Sequence, residues 1–83
     1  MAQISVQVKN RTSDNQIVRV YDQFAGGRRE VSNSPFALAS DETSPAFGVN
    51  ADAHGDGVIS YACDGGPSLS NVDVVDSTVV EVS

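Results

Sequence analysis

Ile-Ser-Val-Gln-Val-Lys, residues 4–9, alternates apolar and polar side chains without a break. Successive side chains of a β-strand point to opposite faces of its sheet, so this stretch predicts a strand with one buried and one wet face. After the polar run of residues 10–16, the stretch Ile-Val-Arg-Val-Tyr, residues 17–21, predicts a second strand that forms a hairpin with the first. Its apolar side chains occupy both faces, which is typical of a central strand or of one covered by a partner.

The same alternation returns at four later places, separated by segments rich in Gly, Asp, Ser and Pro that predict turns. These places are residues 36–38, 47–49, 58–63 and 72–82. The first fits either a strand or one helical turn begun by Ser34-Pro35, and the strand is favoured because the pattern stops too early for a stable helix. The last, divided by Asp76-Ser77, predicts a closing hairpin.

Valine and isoleucine dominate the apolar residues, with thirteen valines and three isoleucines against two leucines. β-Branched side chains lose rotamer freedom in a helix and pack well on a pleated surface. We therefore expect an all-β fold, a small antiparallel β-sandwich or open barrel of about six to eight short strands. A chain of 83 residues has room for one core, so residues 1–83 are expected to form a single domain. The predicted core consists of Ile4, Val6, Val8, Val18, Val20, Phe36, Leu38, Phe47, Val49, Ile59, Tyr61, Val72, Val74, Val80 and Val82.

Two short motifs resemble segments of known small sandwiches. The opening Ile-x-Val-x-Val-x-Asn, residues 4–10, and the later Gly-x-Gly-x-x-x-Tyr, residues 55–61, are shared by many such proteins, aegerolysin-like lipid-binding proteins among them. This chain is too short for that family and contains no tryptophan. No residue role is therefore carried over from it.

Cys63 is the only cysteine, which excludes a disulfide framework and favours a reducing compartment. Small domains without disulfides gain stability from a dense core, a bound metal or association with other subunits, and association is the source favoured here. The chain shows neither a membrane-spanning apolar run nor a secretory signal, so we expect a soluble, cytoplasmic protein. Asn10-Arg11-Thr12 matches a glycosylation acceptor, which matters only in a secreted protein.

Charge is divided unevenly along the chain. Residues 1–29 hold all five basic residues and two acids, a net charge of +3, whereas residues 30–83 hold nine acids and no Lys or Arg, a net charge of −9. The total of −6 argues against nucleic acid, whose binding needs cations over a broad face. Either the two halves interleave and neutralise each other in one fold, or a basic strip lies on an acidic body.

The segment Asp52-Ala-His54-Gly-Asp56-Gly-Val-Ile imitates the start of a calcium loop. Such a loop alternates oxygen ligands and places Gly at its sixth position and an apolar residue at its eighth. Two departures count against calcium, because His54 replaces a hard oxygen ligand and Cys63 stands where a bidentate Glu belongs. Asp52, His54 and Asp56 are thus the candidate metal ligands, with calcium as the one cofactor considered. The competing interpretation is a tight turn before a strand.

Catalysis has weaker support in the sequence. His54 and Cys63 are the residue types of a nucleophile–base pair, but Cys63 continues the alternation of its strand and fits a buried apolar thiol better. The acids Asp41-Glu42 and Asp73/Asp76 resemble paired carboxylates, yet their surroundings are typical of solvated turns. We therefore expect that the protein is not an enzyme.

Arg28 and Arg29 follow the strand break at Gly26-Gly27 and lie close in sequence to Tyr21. Adjacent arginines are able to grip a carboxylate or phosphate in forked geometry. The alternative is an exposed hairpin tip that contacts water alone. Arg28, Arg29 and Tyr21 are the candidate binding residues, for an anionic ligand or a protein partner.

These features favour a non-enzymatic binding or assembly module that acts as a homo-oligomer. Self-association is expected through strand edges or through Ile17 and Tyr21, aided by contact between the Arg28-Arg29 tip and an acidic turn such as Asp41-Glu42. The alternative function is a metal-dependent, calcium-like binding domain that uses residues 52–56. A small hydrolase that uses His54 ranks third.

Overall fold

The structure is a computed structural model that describes residues 2–83, and its regular elements are almost all strands. No helix in this part of the chain has the length and apolar character needed to cross a membrane. The elements in chain order are β1 (Ala2–Asn10), β2 (Gln16–Asp22), a 3-10 turn (Phe24–Gly26), β3 (Arg29–Glu30), β4 (Phe36–Leu38), β5 (Phe47–Ala51), β6 (Gly57–Cys63), β7 (Ser68–Val74) and β8 (Thr78–Val82). The predicted all-β class is confirmed, and residues 36–38 are a strand, not a helical turn.

The eight strands form two sheets around one core. The first sheet has the order β5-β1-β8, and the second has the order β3-β2-β6-β7. β2 is a central strand, as its apolar pattern predicted, because β6 pairs along one side of it and two short strands share the other side. On that shared side, β4 lies beside Gln16–Val18 and β3 lies beside Tyr21 and Asp22.

Alternation along the strands builds the core that the sequence predicted. Every residue of the predicted core is buried except Val72, which is partly buried and packs against the others. The buried cluster also includes Val31, Ala51 and Cys63. Phe36 and Phe47, contributed by different sheets, lie with their ring centroids 5.5 Å apart, a separation typical of an aromatic pair. The core is therefore continuous from one sheet to the other.

Two of the predicted strand pairings are wrong. β1 and β2 do not form a hairpin, because the chain between them crosses from the first sheet to the second. β7 and β8 likewise belong to different sheets, and β8 pairs with β1 in parallel, from Val6↔Thr78 to Asn10↔Val82. The fold is thus not purely antiparallel. Apolar spacing records which face of a strand is buried but carries no information about which strand lies beside it.

Asn10 is a buried polar residue at the end of β1, where it organises the loop that leads to β2. Its side-chain amide donates hydrogen bonds to the carbonyl oxygens of Asp14 and Leu38, at 2.8 and 3.0 Å. Its Oδ1 accepts hydrogen bonds from the backbone N–H and the hydroxyl of Thr12. Because the amide nitrogen is enclosed and both of its protons are used, Asn10 is not accessible as a glycosylation acceptor in this fold.

Candidate functional site

Strand alternation divides β2 into a buried face and an outward face. Val18 and Val20 are completely buried between the sheets. Ile17, Arg19 and Tyr21 point the other way and form the surface that we call the β2 face. Ile17 keeps 38 % of its surface exposed, which is a large fraction for an isoleucine in a central strand. The β2 face is thus an outward surface that combines apolar, aromatic and basic side chains.

A groove opens at one end of the β2 face. It encloses about 390 Å³ and is lined by residues 15–17, residues 37–39 and Glu42, and we call it the Ile17 groove. Ile17 pairs with Ala37 of β4, so both side chains face outward beside each other. Within residues 2–83 no strand pairs with the other edge of β4. Glu42 lines the groove, and its Oε1 accepts the backbone N–H of Ala39 at 2.8 Å.

Arg28 lies at the opposite end of the β2 face. The 3-10 turn reverses the chain here with two left-handed residues, Ala25 at φ 56° and Gly26 at φ 78°. The reversal brings the Arg28 guanidinium carbon to 4.3 Å from the centre of the Tyr21 ring, which is a cation–π contact. Arg28 is exposed, and no described carboxylate lies within 4 Å of its nitrogens. The structure therefore brings together two of the three predicted binding residues, Arg28 and Tyr21.

Arg29 serves a different site from Arg28. Its Nη2 lies 3.2 Å from Oδ2 of Asp22, whose side chain is only 2 % exposed. The same carboxylate accepts the backbone N–H groups of Phe24 at 3.0 Å and Asn50 at 2.9 Å. Arg29 is therefore held by a buried acid, and the two arginines do not form one forked grip.

Sequence reasoning missed Asp22, although a signal was present. Val18, Val20 and position 22 fall on the same buried face of β2, so an aspartate at position 22 breaks an apolar series. A charged side chain at such a position needs hydrogen-bonding partners when it is buried. Asp22 finds them in three segments of the chain, the 3-10 turn, β3 and β5.

The candidate metal ligands lie in the turn that joins β5 to β6. Oδ1 of Asp52 accepts the backbone N–H groups of Asp56 at 3.0 Å and His54 at 2.8 Å. These two hydrogen bonds, in that order, hold the pKa of Asp52 below its usual value. Across residues 2–83 no three His, Cys, Asp or Glu side chains converge on a common point. Asp52, His54 and Asp56 thus share a turn without forming a ligand set.

His54 and Cys63 are at opposite ends of β6. His54 lies in the turn before Gly57, and Cys63 is the last residue of the strand, a separation of about 20 Å along β6 at the usual rise per residue. The thiol is buried, and burial, followed by the nearby charge of Asp64, raises the pKa of Cys63. A nucleophile–base pair between these two residues is therefore ruled out by distance.

Two of the other acids singled out in the sequence, Asp76 and Asp41, connect segments that are distant along the chain. Asp76 Oδ1 accepts the backbone N–H of Ser5 at 2.8 Å, which ties the turn before β8 to β1. Asp41 forms an ion pair with Arg11 at 3.6 Å. Arg11 also pairs with Glu81 at 3.1 Å, so one cation from the basic segment neutralises two acids from the rest of the chain.

No family model, curated protein sequence or solved structure matches this chain. The geometry of the β2 face and the Ile17 groove is therefore the basis for assigning a role. The two features are adjacent, lie on the same outward side of the second sheet and carry exposed apolar and charged groups.

Proposed function

We propose that this chain is a non-enzymatic assembly module that acts as a homo-oligomer through the β2 face and the Ile17 groove. The observation that carries the proposal is the exposure of Ile17 on the wall of a groove, next to Ala37 and the unpaired edge of β4. Fully burying an isoleucine side chain contributes about 1.5–3 kcal/mol, and Ile17 is 38 % exposed, so covering the remainder contributes about 0.6–1 kcal/mol at each of the two symmetric sites.

Three other large apolar side chains are exposed, and their surroundings differ from those of Ile17. Leu69, Val75 and Val79 are 54, 52 and 42 % exposed. Leu69 lies on β7, an edge strand whose pairing with β6 shifts register, and irregular edges of this kind resist pairing with another chain. Val79 lies on β8 and does not line the Ile17 groove. Val75 also lines a groove, of about 360 Å³, but Asp56 and Asp73 share its wall, so two copies meeting there would bring like charges together. The Ile17 groove has one acid, Glu42, which supports association there.

The arrangement of polar groups favours binding over catalysis. Asp22, Asp52, Asp76 and Glu42 all accept backbone N–H groups, so these carboxylates act as structural acceptors within turns and strands. The one thiol is buried. A recognition role needs none of these groups to react, because an exposed apolar and aromatic surface is sufficient for it.

Measurement of molar mass in solution tests the proposal. We expect light scattering of the native protein to give a multiple of the 8.7 kDa chain mass, and the variant Ile17→Ser to shift the population towards monomer. Val79→Ser is the matched control, because it removes a β-branched side chain of similar exposure outside the groove and should leave the oligomer unchanged. A native protein that remains monomeric at high concentration would contradict the proposal.

A further inference from the structure

Opposite charges lie at the two ends of the β2 face. Glu42 lines the groove beside Ile17, and Arg28 covers Tyr21. Ile17 and Tyr21 are four residues apart on one strand, which corresponds to about 13 Å. The acidic end and the basic end thus stand on a common outward surface at a fixed spacing.

Both charges are available to an external partner. Arg28 forms no ion pair with a described residue, and the carboxylate of Glu30, its near neighbour in sequence, accepts the Ser34 hydroxyl at 2.8 Å. Glu42 uses Oε1 for the Ala39 amide, and no described cation lies within 4 Å of its carboxylate. The ends of the β2 face therefore carry charges that the fold itself leaves unneutralised.

Resting on the proposed self-association, we infer that two copies pack face to face about a two-fold axis over the middle of β2, with Arg28 of each copy paired with Glu42 of the other. A two-fold axis exchanges the two ends of a surface, so an acidic end meets a basic end twice in the same dimer. The same operation places Ile17 of one copy against Tyr21 of the other. The partner is thus a second copy of this chain in antiparallel orientation.

Arg19, midway between Ile17 and Tyr21, lies closest to the proposed axis. Two unpaired arginines at the axis would repel each other. Arg19 Nε is 3.5 Å from Oδ1 of Asp64, so each copy brings a neutralised pair to the centre. Glu30 is paired with Tyr21 and shares its face, but its carboxylate accepts the Ser34 hydroxyl and forms no ion pair with Arg28. Arg28 therefore remains available to Glu42 of the other copy, and the antiparallel arrangement forms this pair twice.

Charge reversal at the two ends tests this arrangement. We expect Arg28→Glu to raise the dimer dissociation constant about tenfold or more, because it removes both symmetric pairs and places like charges together. Glu42→Lys should have the same effect, and the double variant Arg28→Glu, Glu42→Lys should restore dimer affinity. Analytical ultracentrifugation of each variant, with circular dichroism to verify folding, measures these changes.

Two further variants keep the test decisive. Glu42→Gln retains the oxygen that accepts the Ala39 amide and removes the charge, so it should weaken the dimer and reduce its salt dependence even if Glu42→Lys fails to fold. Lys9→Glu reverses another cation that has no described ion-pair partner and lies on β1, and it should not change dimer affinity. A native dimer unaffected by Arg28→Glu would overturn this arrangement and leave the proposed self-association standing. A native monomer would overturn both.

Discussion

Asp22 occupies a position where the alternation of β2 calls for an apolar side chain. Burying a carboxylate is costly unless donors surround it, and Asp22 has donors from the 3-10 turn, from Arg29 and from Asn50. Phe24 and Arg29 are close to Asp22 in sequence, whereas Asn50 is 28 residues away and belongs to the other sheet. At the scale of a single residue, Asp22 therefore fastens the two sheets at the end of β2 that carries Arg28.

Asp22→Asn is expected to lower the free energy of unfolding by about 1–3 kcal/mol. The amide keeps one acceptor oxygen but turns N–H groups towards backbone N–H donors, which leaves buried donors without partners. Urea unfolding followed by circular dichroism measures the change. Arg29→Ala is the comparison, and it should cost less than Asp22→Asn because the Asp22 carboxylate keeps both of its backbone N–H donors and the Arg29 side chain is 55 % exposed. An Asp22→Asn variant as stable as the native protein would contradict the structural role assigned to this carboxylate.

At the scale of elements, the turn between β5 and β6 contains a segment that resembles a calcium loop but whose Asp52 side chain is used to hold the turn together. Asp52 uses Oδ1 for two backbone amides, an arrangement in which an Asp side chain closes a turn. The Asp52 amide donates to the Asp56 carbonyl at 2.9 Å, which closes the base of the turn. Residues 52, 54 and 56 thus form the hydrogen bonds that close a tight turn between two strands.

Titration calorimetry of the native protein with calcium and zinc is expected to show no binding at micromolar concentration. Calcium takes six or more oxygen ligands, and the oxygen of Asp52 nearest the turn is already occupied by amides. The melting temperature should likewise be the same with either metal and with a chelator. Micromolar binding that is abolished in the double variant Asp52→Ala, Asp56→Ala would show that the alternative, metal-dependent function is correct.

The strands and their buried faces could be predicted from the sequence because alternation is a local property. Ile4, Val6 and Val8 are buried as their spacing requires, and Cys63 extends the buried series of β6. Partner choice could not be predicted in the same way. The parallel pairing of β1 with β8 depends on contacts between residues more than 70 positions apart, and nothing within either strand specifies it.

Several residues of the candidate site could be selected from the sequence, but their arrangement in space could not be predicted from it. Tyr21, Arg28 and Arg29 are neighbours in sequence, but the 3-10 turn directs Arg28 to the outer face and Arg29 to buried Asp22. The Ile17 groove depends on β4 lying beside β2, a pairing that brings Ala37 next to Ile17 across twenty residues. Because the groove forms only where β2 and β4 lie side by side, neither strand has a sequence pattern that indicates it.

At the scale of the whole molecule, long-range pairing dominates the fold. β1 pairs with β5 and β8, and β2 pairs with β6. Both central strands therefore depend on pairing with strands that are far away in sequence. Bringing such segments together costs loop-closure entropy before their contacts form. The topology therefore predicts slow folding for a chain of this length.

Refolding from urea is expected to take milliseconds to seconds, the range observed for all-β domains with non-local pairing. Stopped-flow tyrosine fluorescence is a suitable measurement, because Tyr61 is buried in the native core and the chain has no tryptophan. Measurements at several protein concentrations separate folding of the chain from association. Complete refolding within microseconds would contradict a rate limited by long-range strand pairing.

The parallel alignment of β1 and β8 also determines how the fold bears mechanical load. Opposed forces applied through Ala2 and Val82 pull these neighbouring strands in opposite directions along their own axes. The five aligned residue pairs from Val6↔Thr78 to Asn10↔Val82 are then sheared together, whereas the strands of a hairpin pulled at its open end separate one pair at a time. We therefore expect these pairs to break together, so that force spectroscopy in this pulling direction records a single unfolding step.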